Sequence, residues 1–467
     1  MRNAWIFIHR WVGLLTAAFL INMGVTGALL SWGYEIDAWL NPDLYRAYTD
    51  GGPFMTGPQL AAIVEADDPR ATVTSMPLVF QQGRAAIVEV RAKHGPQVGP
   101  RTGLGYNQVF VNPTTGQING KRDNGDVGLD RRRFIPLVYY MHYTWGIAQG
   151  PHDQYWWYAR RLSATVGLAW AINCLIGFYI TMPKSVKRPA LVGNAGAAAR
   201  RNGPSFWRRW KASWKIAWNK GGYRITFDLH RAFALWVFVL LFMQAISATA
   251  TMHIVQRNIV LPLLSVFSSK QTPGPFVGTY ADLGWRGPFG LLNSAPRPVP
   301  QHPVKGGPTV TFSEAVQAAS AEAARRGWTE PAGRVLYTTG VGGAYTGNAS
   351  VYRVRFFEPG DDNRFTPNIS SNRIKEIYID GVNGSVVGDR VPWHGTVADV
   401  VMQQIFPFHS SLVYGYWGRV VASILGAGTA MLSVTGFVIW LNKRQSRVKF
   451  KAATARARQR SELQAAE

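Results

Sequence analysis

Four long stretches of the chain contain no charged residue, and they constrain the fold more than any other feature. They are Trp11–Tyr34, Leu162–Met182, Ala232–Met252 and Val420–Asn442, each 21 to 24 residues long. A helix of roughly 20 apolar residues crosses the hydrocarbon core of a bilayer with all of its backbone groups hydrogen-bonded internally. A soluble protein could bury one such helix, whereas four predict membrane spans. We therefore predict a membrane protein built on a four-transmembrane-helix bundle.

Positive charge is concentrated in short segments that flank these stretches. The chain has a net charge of +24, with 50 Lys and Arg against 26 Asp and Glu. Eleven basic residues and no acidic residue lie between Pro183 and Arg224, and eight more basic residues lie from Lys443 to Arg460. Such clusters mark the cytoplasmic side of a membrane protein and favour anionic lipid headgroups. Because no nucleic-acid-reading module is visible in the sequence, we expect the lipid bilayer as a partner and no nucleic acid.

The charge pattern predicts a multi-pass protein of a bacterial inner membrane, with both termini cytoplasmic and two large regions in the periplasm. The predicted segments are helix 1 at 1–34, a first outer domain with a histidine-bearing segment at 35–153, helix 2 at 154–183, a basic loop at 184–224, helix 3 at 225–253, a second outer domain with its histidine-bearing segment at 254–411, helix 4 at 412–442 and a basic tail at 443–467. The first span is expected to be retained, because no clear cleavage site precedes Glu35 and Asp37.

The two outer regions have the mixed pattern of small α+β domains. We predict a helix over Gly57–Ala66 in the first region, and in the second a helix that ends near Arg325 with Ser313 as its N-cap. Strands are predicted at Thr72–Val79, Ala85–Val90, Gln108–Val111, Arg334–Thr338, Val351–Phe357 and Glu376–Asp380. The stretch Gln271–Gly307 is rich in Pro and Gly and is predicted to be an irregular loop.

The two halves of the chain resemble each other, which predicts an internal duplication. The segment Ile8-His9-Arg10 at the start of the first span corresponds to Leu229-His230-Arg231 at the start of the third. Farther along each half, Val109–Gly116 corresponds to Ile377–Gly384, and a histidine follows each of these segments before the next span. A duplicated membrane protein carries functional residues at corresponding positions of both copies.

Four histidines occupy such corresponding positions and are the candidate ligands of a cofactor. The predicted topology places His9 and His230 at the cytoplasmic ends of spans one and three, and His142 and His409 on the outer side before spans two and four. Two histidines at one depth could supply both axial nitrogens of a haem iron. We therefore predict two b-type haems per chain, with these four side chains as the axial ligands and His253 as an alternate outer ligand.

Other residues near these positions fit the same hypothesis. Arg10, Arg231, Arg161 and Arg419 could pair with haem propionates, although arginines that reach from a span to the membrane surface would explain them equally well. Gly13 and Ala234 follow His9 and His230 by four residues and would leave room on the same helical face. The only cysteine, Cys174, lies inside span two, so a CxxCH site for covalent haem attachment is excluded.

Several motifs together resemble the PepSY-associated transmembrane family over nearly the whole chain. They are Ile8-His9-Arg10-Trp11, Val25-Thr26-Gly27-Ala28-Leu29-Leu30, Leu229-His230-Arg231, His409-Ser410-Ser411-Leu412 and Val434-Thr435-Gly436-Phe437-Val438-Ile439-Trp440. The outer α+β regions look like PepSY domains. Span two departs from the pattern, since it has Leu175-Ile176-Gly177 where span four has Val434-Thr435-Gly436.

Members of that family include di-haem ferric-siderophore reductases of the inner membrane. The resemblance implies that this chain is an enzyme that reduces a periplasmic Fe(III) chelate and holds its haems with His9, His230, His142 and His409. No G-x-G-x-x-G stretch predicts a nucleotide or flavin site, so electrons would come from a separate donor, a quinol or a cytoplasmic reductase. The alternative is a non-redox PepSY-type regulator or binding protein for a periplasmic protease or partner.

Overall fold

The computed structural model describes most of the chain. The described residues are 1–48, 51–93, 103–148, 155–184, 205–252, 308–338, 350–358, 374–394, 397–411 and 414–464, with a few positions between 255 and 263. They form two compact units. The helical unit comprises Met1–Ala28, Thr165–Thr249 and Ala422–Glu467, and the sheet unit comprises Leu29–Ala164 and Ala250–Val421.

The elements follow one another in this order: α1 (Arg2–Leu30), α2 (Gly33–Leu40), α3 (Pro42–Tyr45), α4 (Gly57–Asp67), β1 (Ala71–Pro77), β2 (Ala86–Ala92), β3 (Gln108–Val111), β4 (Ile118–Arg122), α5 (Phe134–Thr144), α6 (Trp156–Thr181), α7 (Phe206–Trp210), a 3₁₀ turn (Lys211–Trp214), α8 (Gly222–Trp236), α9 (Phe238–Ala250), α10 (Phe312–Arg325), β5 (Ala332–Thr338), β6 (Val351–Phe356), β7 (Lys375–Asp380), β8 (Val386–Arg390), α11 (Val397–His409) and α12 (Gly415–Gln464). The predicted loop Gln271–Gly307 lies outside the described residues.

Within the described part of the chain, three helices are long and apolar enough to cross a membrane, and a fourth span is completed if a bent pair counts as one. The three are α1, α6 and α12, and the bent pair is α8 with α9. The sequence therefore correctly predicted membrane-spanning helices. It predicted the third span as a single helix at 225–253, whereas the chain bends by 72° between α8 and α9.

Contacts from the basic loop account for the separate direction of α8. Trp236 Nε1, in the last turn of α8, donates to the Trp214 carbonyl, and the Arg231 guanidinium donates to the Ala212 carbonyl. Val237 then leaves helical geometry, with φ −109° and ψ 14°. Neither Gly nor Pro marks this break in the sequence. The bend therefore depends on tertiary contacts that a hydropathy pattern does not reveal.

Helices α1 and α12 approach each other so closely that their backbones touch. A Cβ atom built on Gly24 would lie 2.4 Å from the Gly426 carbonyl oxygen, and a Cβ on Gly426 would lie 2.4 Å from the Gly24 carbonyl oxygen. Helices in lipid associate through such small residues, because the hydrophobic effect gives no preference between helix and lipid contacts. The two glycines thus fix the register in which the first and last spans pack.

The strands of both outer regions lie in a single eight-stranded antiparallel sheet, in the order β4-β3-β2-β1-β5-β6-β7-β8. Two separate outer domains, as expected from the sequence, are therefore not confirmed. The halves join where β1 pairs with β5, with Ser75 opposite Leu336 and Pro77 opposite Arg334. Helices α4 and α10 and the apolar side chains of all the central strands form one continuous core on this sheet.

The predicted strands and helices of this unit are confirmed with small shifts at their ends. Strands β4 and β8 were not predicted, because each of them contains a glycine and two charged residues among its five positions. The N-cap of α10 is Thr311 and not Ser313, since the Thr311 hydroxyl accepts from the Glu314 amide while the Glu314 carboxylate accepts from the Thr311 amide. Thr56 and Gln59 make the same reciprocal pair at α4.

The hairpins at the ends of the sheet confirm the duplication in detail. In the β3–β4 turn, the Asn112 side-chain oxygen accepts from the Thr114 amide at 2.9 Å, and Gly116 has φ 75°. In the β7–β8 turn, the Asp380 side-chain oxygen accepts from the Val382 amide at 2.7 Å, and Gly384 has φ 74°. A side-chain oxygen followed four residues later by a glycine in the left-handed region builds the same turn twice.

Candidate functional site

His9 and His230 lie together inside the helical unit. His9 is on the third turn of α1, and His230 is on α8, six residues before its end. Their ring centroids are 6.4 Å apart, and the ring planes are inclined by 73°. The sequence predicted this pair from two matching motifs more than 200 residues apart, and the fold brings the two imidazoles together.

Each of these histidines faces a glycine on a neighbouring helix. A Cβ built on Gly177 of α6 would lie 3.0 Å from His9 Cε1, and a Cβ on Gly436 of α12 would lie 3.3 Å from His230 Cε1. The bare backbone therefore makes room for each imidazole. Span two differs from the family pattern at Leu175-Ile176-Gly177. Because Gly177 faces His9, this difference lies beside His9 and not beside His142 or His409. Sequence reasoning had not linked these glycines to the histidines, although aligning the two copies places them in register.

The polar partners of the two rings differ. His230 Nδ1 lies 3.0 Å from the Thr435 hydroxyl oxygen, one residue before Gly436. His9 Nδ1 is buried without a hydrogen-bond partner among the described residues, and the same holds for Oδ1 of Asn173, on the turn of α6 before Gly177. Gly13 faces this amide, since a Cβ on it would lie 3.6 Å from Asn173 Nδ2.

His142 and His409 form a second pair inside the sheet unit. His142 is in the last turn of α5, and His409 is the last residue of α11. Their ring centroids are 6.1 Å apart, and the planes are inclined by 34°. Burial, and next the neighbouring His142, lower the pKa of His409 to about 3. Its imidazole is therefore neutral at physiological pH, and the neutral form is the one that binds a metal.

The C-terminal end of α5 is held in place by the start of α6. Trp145 closes α5 in the left-handed conformation, with φ 64°, and its Nε1 donates to the Ser163 hydroxyl at 2.6 Å. The buried Arg160 guanidinium donates to the Tyr143 hydroxyl and lies 4.9 Å from the centre of that ring. These contacts hold Tyr143 and Trp145, which follow His142 in the chain, and so support the end of α5 that carries its ring.

A family model described as "PepSY-associated TM region" matches residues 6–443 of the chain. That match covers nearly the whole sequence, both histidine pairs and all the spanning helices. The chain belongs to the PepSY-associated TM family. A search of curated proteins finds no match to it.

For this member of the PepSY-associated TM family, the spacing of both pairs fits one iron atom between two imidazoles. A metal–imidazole bond is about 2 Å long, so two rings that share an iron through one nitrogen each have centres about 6.3 Å apart. The observed separations are 6.4 and 6.1 Å. Each ring can rotate about its own metal–nitrogen bond, and both inclinations are therefore compatible with such a site.

The arginines predicted to meet haem propionates have different surroundings. Arg419 forms an ion pair with Glu35 and donates to the Ser31 carbonyl at 2.6 Å, and Arg231 pairs with Asp228 at 2.8 Å. Arg10 lies over the Phe7 and Trp11 rings, while Arg161 is exposed. Their role toward propionates stays a prediction, and Arg160, which the sequence did not single out, is the buried arginine nearest to His142 in the chain.

The remaining histidines lie elsewhere. The ring of His394 contacts the Pro392 carbonyl through Nδ1 at 2.9 Å, in the loop after β8. His253, proposed as an alternate ligand, lies outside the described residues, as do His94, His152 and His302. Among the residues that the structure describes, no group of three or more His, Cys, Asp and Glu side chains could hold a metal ion.

Proposed function

We propose that the chain is a b-type di-haem electron-transfer protein of the bacterial inner membrane that reduces periplasmic ferric chelates, with ferric siderophores as the substrate class. The observation that supports this function is the presence of two histidine pairs, whose ring centres lie 6.4 and 6.1 Å apart, close to the separation expected of two imidazoles that share one iron atom. Membership of the PepSY-associated TM family supports the membrane location.

The residues of the chain supply ligation, space and burial. His9 and His230 would hold one haem, and His142 and His409 would hold the other. Gly177 and Gly436 clear the volume that the first two imidazoles occupy. When bound, haem supplies one-electron redox chemistry, and the protein tunes it through the axial ligands and their hydrogen bonds.

The proposed reaction transfers one electron from a separate donor, a quinol or a cytoplasmic reductase, to each Fe(III) of the chelate. Fe(III) becomes Fe(II), no bond in the chelator breaks, and the softer Fe(II) ion is held less tightly by oxygen ligands. The charge pattern of the sequence supports cytoplasmic termini and periplasmic strands, so that the two histidine pairs would serve opposite faces of the membrane. The siderophore as substrate rests on the family resemblance alone.

Spectroscopy of the purified protein tests the proposal. Wild-type protein from haem-replete cells should be red, with a dithionite-reduced minus air-oxidised spectrum of b type and two haems per chain in a pyridine-haem assay. His230→Ala and His142→Ala should each remove one haem, and the double variant should remove both. His394→Ala is the matched control, because it deletes a histidine outside both pairs, and it should retain two haems. Colourless wild-type protein would refute the proposal.

A groove on the sheet unit favours the alternative, a binding protein or regulator. The groove has a volume of about 620 Å³ and is lined by apolar side chains that include Phe54, Leu78, Phe80 and Val316. It lies where α4 and α10 begin, and such an apolar surface can receive a partner segment. Protein that is folded and colourless, even when made in haem-replete cells, would support this role in place of electron transfer.

A further inference from the structure

We propose that Thr435 is a positioning residue, whose hydroxyl holds His230 in the Nδ1-protonated tautomer and leaves the Nε2 lone pair free for iron. This inference rests on the proposed function and adds a residue that is not itself a ligand. It also makes the two ligands of this haem chemically unequal, because no hydroxyl occupies the corresponding place beside His9.

The hydrogen bonds of the Thr435 hydroxyl decide the direction of its contact with His230. Its oxygen lies 2.8 Å from the Met431 carbonyl and 3.1 Å from the Leu432 carbonyl, both one turn earlier on α12. A carbonyl oxygen only accepts, so the single hydroxyl hydrogen points back into the helix. The hydroxyl can then offer only a lone pair to His230 Nδ1, at 3.0 Å. With the hydroxyl hydrogen donated within α12, Nδ1 is the nitrogen that carries the proton.

A proton on Nδ1 has a direct consequence for the other ring nitrogen. A neutral imidazole carries one proton, so Nε2 retains its lone pair and becomes the metal-binding atom. A hydrogen bond from the distal N–H of a metal-bound histidine fixes its tautomer and orientation and makes it a stronger donor. Thr435 is 9% exposed, and water competes little for its hydroxyl. The contact is thus built before any metal arrives.

The other copy of the chain does not repeat this arrangement. The residue before Gly177 is Ile176, which has no hydroxyl, whereas the residue before Gly436 is Thr435. His9 Nδ1 is buried without a hydrogen-bond partner in the part of the chain that the structure describes. The His9 ring therefore lacks the hydroxyl contact of His230 and has Asn173 as its polar neighbour, so the two imidazoles should differ in basicity.

The tautomer can be read without haem. Full-length protein labelled with ¹⁵N-histidine, expressed without haem and purified in detergent, should give a His230 signal with a protonated Nδ1 and an unprotonated Nε2. The signal is assigned by its loss in His230→Gln. In Thr435→Val, which has nearly the same shape and no hydroxyl, both tautomers should be populated. An Nε2-protonated His230 in the wild-type protein would overturn the inference.

The effect on the cofactor gives a second, independent readout. Thr435→Val should weaken retention of one of the two haems about tenfold, since loss of a partner to a metal-bound histidine commonly costs 10–100-fold in affinity. It should also move the potential of that haem in the positive direction, because a weaker donor favours Fe(III) less. Thr435→Ser keeps a hydroxyl at this position, and its haem retention and haem potential should stay close to those of the wild-type protein.

Thr429→Val is the matched control for these measurements. Thr429 is buried on the same helix and its hydroxyl donates only to the Leu425 carbonyl, at 2.8 Å. If Thr435→Val behaves like Thr429→Val while His230→Ala loses a haem, Thr435 has no positioning role and the proposed function stands. If His230→Ala retains both haems, the proposed function itself fails.

Discussion

The two copies of the duplicated chain place a histidine against a glycine in the same way, yet they surround it differently. His9 faces Gly177 and His230 faces Gly436, with the added Cβ contact in both cases at ring atom Cε1. His230 has the Thr435 hydroxyl as a partner, whereas the corresponding position near His9 is Ile176. Duplication thus preserved the space that an imidazole needs and allowed its polar partner to diverge.

The same contrast appears in the sheet unit. The β4 residue Arg122 forms an ion pair with Asp37 at 2.7 Å, and both side chains are buried. The corresponding β8 residue Arg390 donates to the Ile374 carbonyl at 2.8 Å. The position of the arginine is shared because the hairpins are equivalent. Its partner differs, because Asp37 comes from α2, which follows the first span, whereas residues 253–281 after the third span contain no Asp or Glu.

The largest expected effect follows from this difference in buried charge. Arg122→Met should lower the free energy of unfolding by about 3–5 kcal/mol, since it leaves the Asp37 carboxylate buried without its cation. Arg390→Met should cost less, because the buried carboxylate nearby, Glu376, keeps its own arginine, Arg355, at 3.0 Å. Denaturant unfolding in detergent measures both values. The double variant Arg122→Met/Asp37→Asn should recover part of the lost stability. Equal losses in Arg122→Met and Arg390→Met would show that the two arginines do not differ in their contribution to stability.

A smaller effect should distinguish the two glycines. Gly177→Ala and Gly436→Ala introduce Cβ atoms 3.0 and 3.3 Å from the facing rings, and overpacking of this kind costs about 1–3 kcal/mol. We expect Gly177→Ala to lose more haem and more thermal stability than Gly436→Ala. Gly13→Ala is the control, since its Cβ would meet Asn173 at an ordinary 3.6 Å. An equal loss in all three variants would mean that the imidazoles impose no special demand for glycine.

The smallest effect concerns the capping residues of α4 and α10 and their response to pH. The Thr311 backbone amide, and then its hydroxyl, hold the pKa of Glu314 below its usual 4.5. A lowered folded-state pKa gives stability that is present above the unfolded value and is lost as pH falls through the folded value. Gln59 makes the corresponding contact in α4 and cannot titrate.

Comparing wild type with Glu314→Gln therefore isolates one carboxylate. Their unfolding midpoints should differ slightly at neutral pH and converge at acidic pH, below about 4. Gln59→Glu should introduce the same acid-sensitive contribution at α4. Midpoints that run parallel at every pH would show that the exposed carboxylate contributes nothing through its charge.

Local sequence patterns were sufficient for much of the fold. Hydropathy predicted α1, α6 and α12 as spanning helices, because a membrane imposes the same apolar requirement on every turn. The matching segments Val109–Gly116 and Ile377–Gly384 predicted a duplication, and in the structure both segments form the same turn, with a glycine in the left-handed region. The matching of motifs predicted which histidines belong together, and the structure brings both pairs within 6.4 Å.

Other features were beyond such patterns. At Val237 the chain bends next to hydrogen bonds from Trp236 and Arg231 to the basic loop, and neither Gly nor Pro in the sequence indicates this bend. The pairing of β1 with β5 joins the halves into one sheet, although about 255 residues separate Pro77 at the end of β1 from Ala332 at the start of β5. Two distant strands can pair at their edges wherever both have unpaired backbone groups. The alternation of apolar and polar residues predicts that a segment is a strand, but it does not identify the strand with which it pairs.

The sequence by itself determined that the chain enters a membrane, that it is duplicated, and that four histidines occupy equivalent places in the copies. These properties follow from the types of the residues and their spacing in the sequence, which can be analysed one helix or one turn at a time. Only the tertiary structure decided that Gly177, Gly436 and Thr435 surround the imidazoles. Hydrogen bonds and van der Waals contacts act over a few ångströms, so the partner of a side chain is known only after distant helices have packed.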